Sequence, residues 1–248
     1  MPKTRLDILM HERGLAESRE KARAMILAGL VYVNGQRVDK AGHQLPDDAP
    51  IEVKGDACPY VSRGGLKLAS ALDRFGIDVA GMRCLDVGIS TGGFTDCLLQ
   101  RGAAHVIGVD VGYGQLAWSL RQDERVTLIE RTNARTLTLD MIGGESVDLA
   151  TIDASFISLT LILPAVAKCV RPGGIILPMV KPQFEVGKDR VGAGGVVRDE
   201  ALRREAADSV KRFLEGELGL RVVDESDNPL TGPKGNREIF LSVQCPDD

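Results

Sequence analysis

The sequence has little of what metal, redox or disulfide-linked proteins need. Its five cysteines are odd in number, and no two of them have the C-x-x-C spacing of a zinc or redox site. Its three histidines, His11, His43 and His105, are scattered along the chain. We therefore predict no metal site, and reduced thiols in a cytoplasmic protein.

The sequence also has no segment suited to a membrane. The best apolar run, residues 159–170, is interrupted by Pro164 and Lys168, and it falls short of the roughly 18 residues that a spanning helix needs. Residues 1–14 are charged throughout, so no secretory signal is expected. We therefore expect no membrane partner.

The net charge of −4 does not suggest a nucleic-acid binder, but its distribution is uneven. Residues 1–67 contain eleven Lys or Arg against nine Asp or Glu, whereas the remainder contains twenty against twenty-six. Phosphate binding depends on where cations cluster, so a negative total leaves RNA open. A solvated surface of mixed charge fits these counts equally well.

Residues 1–57 contain the pattern of a small α+β module. Apolar residues at helical spacing predict a helix over residues 4–14 with Thr4 as its cap, and a second helix from Ser18 to Gly29. Asn34-Gly35 between two apolar runs indicates a hairpin, and "APIEVKG" reads as another short strand.

The run "RLDILMHERGLAESREKARAMILAGLVYVNGQRV" resembles the S4-type RNA-binding domain. The resemblance implies that the second helix and its surroundings present cations to structured RNA, which proteins read largely through its backbone and shape. Glu17 and Glu20 interrupt this basic pattern, and a surface helix of mixed charge is the alternative. The expected RNA-binding residues in this module are Arg5, Arg19, Lys21 and Arg23.

After a linker at residues 58–62, residues 63–248 alternate between strand-like and helical patterns. The strands are "RCLDVG", "AHVIGVDV", "VTLIERTN", "VDLATIDA" and "GGIILPMV", followed by an antiparallel pair, "LRVVDES" and "NREIFLSVQ". Helices are predicted over residues 92–102, 113–121, 156–170 and 199–216. Alternation of this kind predicts an α/β fold with a mostly parallel seven-stranded sheet that helices cover on both faces.

The turn "LDVGISTGGFTD" follows a strand and opens a helix, where glycines let the backbone approach a ligand closely. Its spacing is not G-x-G-x-x-G, because Gly88 is followed by Gly92 and Gly93, and this argues against a nicotinamide cofactor. The sequence also lacks G-x-x-x-x-G-K-[ST], which excludes a P-loop.

This turn resembles the first motif of Rossmann-like methyltransferases, which implies S-adenosylmethionine as the cofactor. Asp86 would hold its methionine part, Asp110 its ribose hydroxyls, and Asn133 its adenine edge. A glycine turn and strand-end polar residues occur separately in many α/β folds, but together at consecutive strands they predict a cofactor site. The expected cofactor-binding residues are Asp86, Gly88, Ser90, Gly92, Gly93, Phe94, Asp110, Val111, Asn133 and Ala134.

Asp153 and Lys181 end the fourth and fifth predicted strands, and ligands bind at that edge of open α/β sheets. Taken singly, either residue would as readily be a cap or a surface residue. Methyl transfer needs a nucleophile in line with the methyl carbon and a route for its proton. A lysine whose pKa is lowered by burial or a nearby cation can act as base or stabilise an alkoxide.

Seven segments together resemble the TlyA family, historically labelled haemolysins, which is related to the FtsJ-like 2′-O-methyltransferases. They are "VSRGGLKL", "DVGISTGGFTD", "DVGYGQLAWSLR", "ERTNAR", "DASFISL", "VKPQFEVGKDRVGAGGVV" and "GNREIFL". The resemblance implies 2′-O-methylation of cytidine in ribosomal RNA by a tetrad at Lys67, Asp153, Lys181 and Glu238. Lys181 would activate the hydroxyl and be oriented by Asp153, while Lys67 and Glu238 would position the ribose.

Other expectations concern the rim of the site and the partner. The stretch "QFEVGKDRVGAGGVVRD" is too glycine-rich and charged for a packed element, so we predict a mobile loop there. Lys188 and Arg190 in that loop, with Arg63, are further predicted RNA contacts. Ile89 stands where the family usually has a small residue, and it is expected to crowd the turn without preventing binding.

Ribosomal RNA or a ribosomal subunit is the expected partner, and the protein is expected to be a monomer or weak dimer. The chain stops soon after "FLSVQ", and the resemblance associates shorter family members with the large subunit. A non-catalytic RNA-binding protein is the main alternative, since it needs the first module but no cofactor turn. A pore-forming haemolysin is a weaker one.

Overall fold

The computed structural model describes residues 3–16, 18–27, 29–54, 58–232 and 234–247, apart from the side chain of Lys188. One apolar core lies within residues 3–54. Two further cores lie within the rest of the chain. The chain therefore folds as a small N-terminal domain and a larger C-terminal domain.

Over its described residues, the N-terminal domain has two helices and two small sheets, in the strand orders β1-β4 and β3-β2-β5. Its elements are β1 (Lys3–Arg5), α1 (Leu6–Glu12), α2 (Arg19–Leu27), β2 (Val31–Val33), β3 (Gln36–Arg37), β4 (Gln44–Pro46) and β5 (Ile51–Val53). The predicted hairpin is confirmed, because β2 pairs with β3 around Asn34 and Gly35. Both turn residues have positive φ, 51° and 74°, as a type I′ turn requires.

The start of the first helix was predicted wrongly. Thr4 does not cap it, because Thr4 lies in β1 and pairs with Leu45. Arg5 precedes the helix and supplies no side-chain cap. Two strands of three residues each, β1 and β4, are too short to leave a periodic pattern in the sequence.

The C-terminal domain has a seven-stranded sheet in the order β11-β12-β10-β9-β6-β7-β8. Its strands are β6 (Arg83–Val87), β7 (His105–Val109), β8 (Val126–Ile129), β9 (Val147–Ile152), β10 (Val170–Val180), β11 (Arg221–Asp227) and β12 (Ile239–Gln244). The five strands from β10 to β8 are parallel, whereas β12 is antiparallel to both β10 and β11. The predicted mostly parallel sheet and its late antiparallel pair are confirmed.

Helices cover both faces of this sheet, as predicted. They are α3 (Arg63–Phe75), α4 (Gly93–Gln100), α5 (Trp118–Arg121), α6 (Leu163–Ala167), α7 (Pro182–Glu185) and α8 (Glu200–Gly216). The sequence analysis placed no helix at α3. Ser62 begins it by accepting a hydrogen bond from Gly64 N at 3.3 Å, so the predicted linker ends in a helix cap. Cys58, at the other end of that linker, is buried.

Two predicted helices are shorter in the structure. The helix expected over residues 113–121 is reduced to α5, because Gly114 has φ of 71°, which no helix accommodates. The helix expected over residues 156–170 becomes a 3₁₀ turn at Leu159–Leu161 followed by α6, in whose first turn Pro164 lies. The region 183–199 also differs from expectation, because Val186, Val196 and Val197 are buried and the segment packs against the domain.

The strand order creates a crevice at the carboxyl edge of the sheet. From β6 the chain runs outward to β7 and β8, then returns to β9 on the other side of β6. Ligands bind at such a switch point in open α/β sheets. Among the described residues, no helix has the length and apolar character to span a membrane.

Candidate functional site

Two adjoining cavities open at the carboxyl edge of the sheet. The first has a volume of about 400 Å³ and lies over the ends of β6, β7 and β9. The second, of about 490 Å³, lies between α3, the strand ends and the N-terminal domain. Gly88, Ser90, Asp153 and Ser155 line both cavities. A ligand in one cavity can therefore touch a ligand in the other.

Lys181 and Asp153 form an ion pair where the two cavities meet. They follow the last residues of β10 and β9, which are neighbouring parallel strands. Lys181 Nζ lies 2.5 Å from Asp153 Oδ1 and donates to Ser155 Oγ at 2.8 Å. The lysine is 8% exposed, so its position is fixed by packing and by two polar partners.

Lys67 and Glu238 form a second, more deeply buried pair. Lys67 lies in α3, and its Nζ is 2.5 Å from Glu238 Oε2; their side chains are 10% and 3% exposed. Glu238 directly precedes β12, whose antiparallel register pairs Ile239 with Val180. This register brings Glu238 to the same edge as Lys181, and all four predicted catalytic residues line the second cavity.

The turn after β6 forms the floor of the first cavity. A Cβ on Gly88 would lie 2.7 Å from the carbonyl oxygen of Asp153, so only glycine allows the turn to pass so close to the end of β9. Ser90 N donates to Asp110 Oδ2 at 2.9 Å, and Gly112 N donates to Asp110 Oδ1 at 2.6 Å. These bonds hold the Asp110 carboxylate at the cavity wall.

The predicted cofactor residues divide into three groups by position. Gly88, Ser90, Asp110, Val111, Asn133 and Ala134 line the first cavity. Gly93 and Phe94 line the second cavity instead. A Cβ on Gly93 would lie 2.2 Å from Ser62 Oγ, so this glycine serves the close packing of α4 on α3. Gly92 lines neither cavity. It packs against Leu120 in α5 and against Leu116, which precedes α5.

Asp86 lies beneath the turn rather than in a cavity, and this differs from the role predicted for it. It is fully buried, and its carboxylate accepts hydrogen bonds from Thr95 Oγ1 at 2.7 Å and Thr151 Oγ1 at 3.3 Å. Ile89 also points inward, because Gly108 beside it leaves room for its side chain. The crowding expected from Ile89 is thereby relieved.

Burial raises the pKa of Asp86 from 3.8 to about 7, against the opposing effect of the threonine hydrogen bonds. The folded protein therefore holds a proton on Asp86 that the unfolded chain releases between about pH 4 and 7. Because the folded state binds more protons, the free energy of unfolding falls as pH rises through this window.

We expect the Asp86→Asn variant to remove this dependence. Asparagine does not ionise, although it keeps only one of the two acceptor oxygens that the threonines use. Between pH 4 and pH 7 the free energy of unfolding of wild type should therefore fall by up to about 4 kcal/mol relative to that of the variant. Urea unfolding of both proteins at several pH values measures this. Parallel stability curves for the two proteins would contradict the assignment.

Three of the predicted RNA-binding arginines converge on one buried carboxylate. Asp7 in α1 accepts hydrogen bonds from Arg5 Nε at 2.9 Å and from Arg23 Nε at 2.8 Å, and Arg19 Nη2 lies 3.9 Å away. Burial alone would raise the pKa of Asp7, but the bonds from Arg5 and Arg23 lower it to about 2. The arginines stay about 39–51% exposed, so they form one cationic surface.

The remaining predicted RNA contacts are dispersed. Arg63 lines the second cavity with the four predicted catalytic residues, and Lys21 lies in a groove between α2 and the C-terminal domain. Arg190 is paired with Glu205 through two hydrogen bonds of 2.6 Å. The side chain of Lys188 lies outside the described part of the structure.

The sequence analysis missed Phe156. This side chain is 89% exposed, has φ of 66° and packs against Phe184 with ring centroids 5.2 Å apart. An aromatic residue with positive φ is strained, and such strain concentrates at functional sites. Phe156 lies beside the Lys181–Asp153 pair, where it lines the first cavity and a third of about 600 Å³. Its position three residues after Asp153 was the available signal.

Known proteins match the chain along nearly its whole length. A model of the FtsJ-like methyltransferases matches residues 60–245, and a model of the S4 domain matches residues 4–50. The 16S/23S rRNA (cytidine-2′-O)-methyltransferase TlyA of Mycobacterium tuberculosis is 51% identical over 99% of this chain and 91% of its own. Hemolysin A of Brachyspira hyodysenteriae is 42% identical over 95% of this chain and 98% of its own.

Solved structures also resemble it. The structure of a proposed hemolysin from Streptococcus thermophilus is 43% identical, with a TM-score of 0.78 over 100% of this chain and 90% of that one. The similarity in sequence and in structure extends over both domains, so the same relatives resemble the N-terminal and the C-terminal parts of the chain.

Proposed function

Since this chain belongs to the FtsJ-like methyltransferase family, and within it to the TlyA proteins, we propose that it methylates the ribose 2′-hydroxyl of cytidine in ribosomal RNA. Both resemblances seen in the sequence, to the S4 domain and to the TlyA family, are confirmed. The observation that carries the proposal is the position of Lys181 and Asp153 where the two cavities meet.

The first cavity fits S-adenosylmethionine. Its volume of about 400 Å³ lies within the range of small-molecule sites, roughly 300–1,000 Å³. Asp110 presents a fixed carboxylate suited to two ribose hydroxyls, and the apolar side chains of Ile157 and Ile162 offer a surface for the adenine ring. Asn133 lines the same wall, and its Oδ1 also accepts from Arg135 N at 3.1 Å.

S-adenosylmethionine supplies a methyl group on a positively charged sulfur, which leaves as a neutral thioether. Lys181 Nζ faces the second cavity and binds the 2′-oxygen of the ribose there. As the new oxygen–carbon bond forms, the hydroxyl proton passes to the Lys181–Asp153 pair, and Lys181 stabilises the charge on the oxygen. The Lys67–Glu238 pair forms the opposite wall and positions the ribose.

The RNA would lie across both domains. The arginine cluster around Asp7 and the guanidinium of Arg63 meet backbone phosphates, which supply most of the affinity for RNA. Phe156 offers an exposed ring at the rim of the site, and unpaired RNA bases stack on such rings. The relative in Mycobacterium tuberculosis is named for both 16S and 23S RNA, so either subunit is a candidate substrate.

The Asp110→Ala variant should lose cofactor affinity. A carboxylate that accepts two hydrogen bonds from ribose contributes enough for its removal to lower the affinity by about 10²-fold. Isothermal titration with S-adenosylmethionine measures this. Asp140→Ala, at a carboxylate of the same domain outside both cavities, should bind like wild type. Equal affinity of all three proteins would contradict the assignment of the first cavity.

The function is tested with purified protein and ribosomal subunits. Small and large subunits lacking the modification are incubated separately with S-adenosylmethionine carrying a labelled methyl group, then digested to nucleosides. We expect label in 2′-O-methylcytidine, separated by chromatography from cytidine methylated on its base. Label only in base-methylated nucleosides, or none in either subunit, would overturn the proposal.

A further inference from the structure

Helix α2 contains an acidic residue that RNA binding does not explain. Glu20 lies exposed between Arg19 and Lys21, on the helix whose cations are expected to face phosphate. A carboxylate there repels the RNA backbone and weakens the electrostatic attraction that the cations provide. Its presence calls for a role other than contact with RNA.

Glu20 connects the two domains. Its Oε1 accepts a hydrogen bond from the backbone N–H of Trp118, at 3.0 Å. Within the described part of the chain, no other hydrogen bond and no ion pair joins residues 3–54 to residues 58–247. A groove of about 680 Å³ lies between α2 and residues 114–119, and Glu20 and Trp118 are both part of its lining. Among the described residues, their hydrogen bond is the specific polar contact between the domains.

The segment that Glu20 holds is attached to the cofactor cavity. Trp118 is the first residue of α5, and the preceding residue donates from Ala117 N to Thr91 O at 3.2 Å. Earlier in the same segment, Gln115 lines the first cavity and its Oε1 accepts from Ser90 Oγ at 3.4 Å. Glu20 thus joins the RNA-binding helix to backbone that is bonded directly to the cofactor turn.

We propose that Glu20 is a positioning residue that fixes the N-terminal domain over the active site, so that RNA bound by α2 is presented to Lys181. This inference rests on the proposed function. Glu20 touches neither substrate nor cofactor; it acts through the orientation of α2. Orientation matters because a displacement of about 1 Å at the reacting atoms slows a transfer reaction by as much as about 10²-fold.

Substitution of Glu20 separates this role from simple electrostatics. If Glu20 were only a repulsive charge, Glu20→Ala would bind RNA more tightly and methylate at least as fast as wild type. A positioning role predicts that Glu20→Ala binds RNA as well as wild type or better, yet methylates about tenfold more slowly at saturating RNA. Glu20→Gln keeps the Oε1 acceptor without the charge, and it should retain the wild-type rate.

The experiment uses the full chain and the ribosomal subunit that it methylates. RNA affinity is measured by filter binding, the rate under single turnover, and hydrogen exchange at the Trp118 amide by mass spectrometry. Glu12→Ala is the matched control, because Glu12 is an exposed acid of the same domain without an ion pair among the described residues. It should leave the rate and the exchange unchanged.

We expect Glu20→Ala to combine undiminished RNA affinity, a slower rate and faster exchange at Trp118. A wild-type rate in Glu20→Ala, or a rate in Glu20→Gln as slow as in Glu20→Ala, would overturn the inference. Failure of the proposed function would look different, because wild-type protein itself would then methylate no ribosomal RNA while its Trp118 amide stayed protected.

Discussion

Replacing Lys181 by alanine is expected to reduce RNA methylation by about 10²–10⁴-fold, the range that a positioned acid or base contributes. Lys181 lines the second cavity and not the first, so S-adenosylmethionine should bind the Lys181→Ala variant with nearly wild-type affinity. Single-turnover methylation and isothermal titration on the same preparation measure the two quantities separately.

Two further variants show what Lys181 supplies. Lys181→Arg keeps a cation beside Asp153 but does not exchange a proton near neutral pH, so it should remain as inactive as alanine if proton transfer is required. Lys168→Ala removes an exposed lysine at the end of α6 and should be fully active. Full activity in Lys181→Ala would contradict the assignment of the catalytic pair.

The Lys67–Glu238 pair is expected to be the most sensitive point for stability. Its side chains are 10% and 3% exposed, and removing one partner of a buried pair leaves an uncompensated charge. We expect Lys67→Met to lower the free energy of unfolding by about 3–5 kcal/mol. The double variant Lys67→Met/Glu238→Gln should recover most of this loss, because no isolated charge remains, while methylation stays impaired.

Urea unfolding of Lys67→Met, of Glu238→Gln and of the double variant measures these changes in a double-mutant cycle. The exposed pair Arg74–Asp224, with side chains 56% and 39% exposed and 3.0 Å between its atoms, provides the control. Arg74→Met should cost less than about 1 kcal/mol. Additive losses in the double variant would contradict the pairing of Lys67 with Glu238.

The carboxyl edge of the sheet was predictable because strand periodicity and strand order determine it. Asp153 and Lys181 follow strands that the apolar runs locate well, and parallel strands end at one edge. Glu238 was not predictable in this way. Its place depends on the antiparallel return of β12 and on the register between Val180 and Ile239, which no local pattern encodes.

Lys67 and Asp86 show the limits of motif spacing. The helix that carries Lys67 begins at a cap, Ser62, which is the last residue of the segment that was predicted to be a linker. Asp86 stands where a ligand contact was expected, but two threonines from neighbouring elements satisfy its carboxylate below the turn. Spacing places a residue on a strand, whereas its neighbours in the fold decide whether it faces a ligand or the core.

In the arginine cluster, by contrast, the residues were predicted but the contact that joins them was not. The resemblance to the S4 domain grouped Arg5, Arg19 and Arg23 as expected RNA contacts, but the sequence gave no contact that would hold them together. The structure supplies this contact in Asp7, a fully buried carboxylate from the first turn of α1. Charge counts alone could not distinguish this cluster from a mixed surface, because Asp7 enters those counts as an opposing charge.

The most direct test of the account is a map of ribose methylation in ribosomal RNA from cells that lack this protein, complemented with wild type or with Lys181→Ala. The account predicts that 2′-O-methylation of at least one cytidine is absent without the protein, returns with wild type and does not return with Lys181→Ala. An unchanged methylation map in cells lacking the protein, or full restoration by Lys181→Ala, would contradict it.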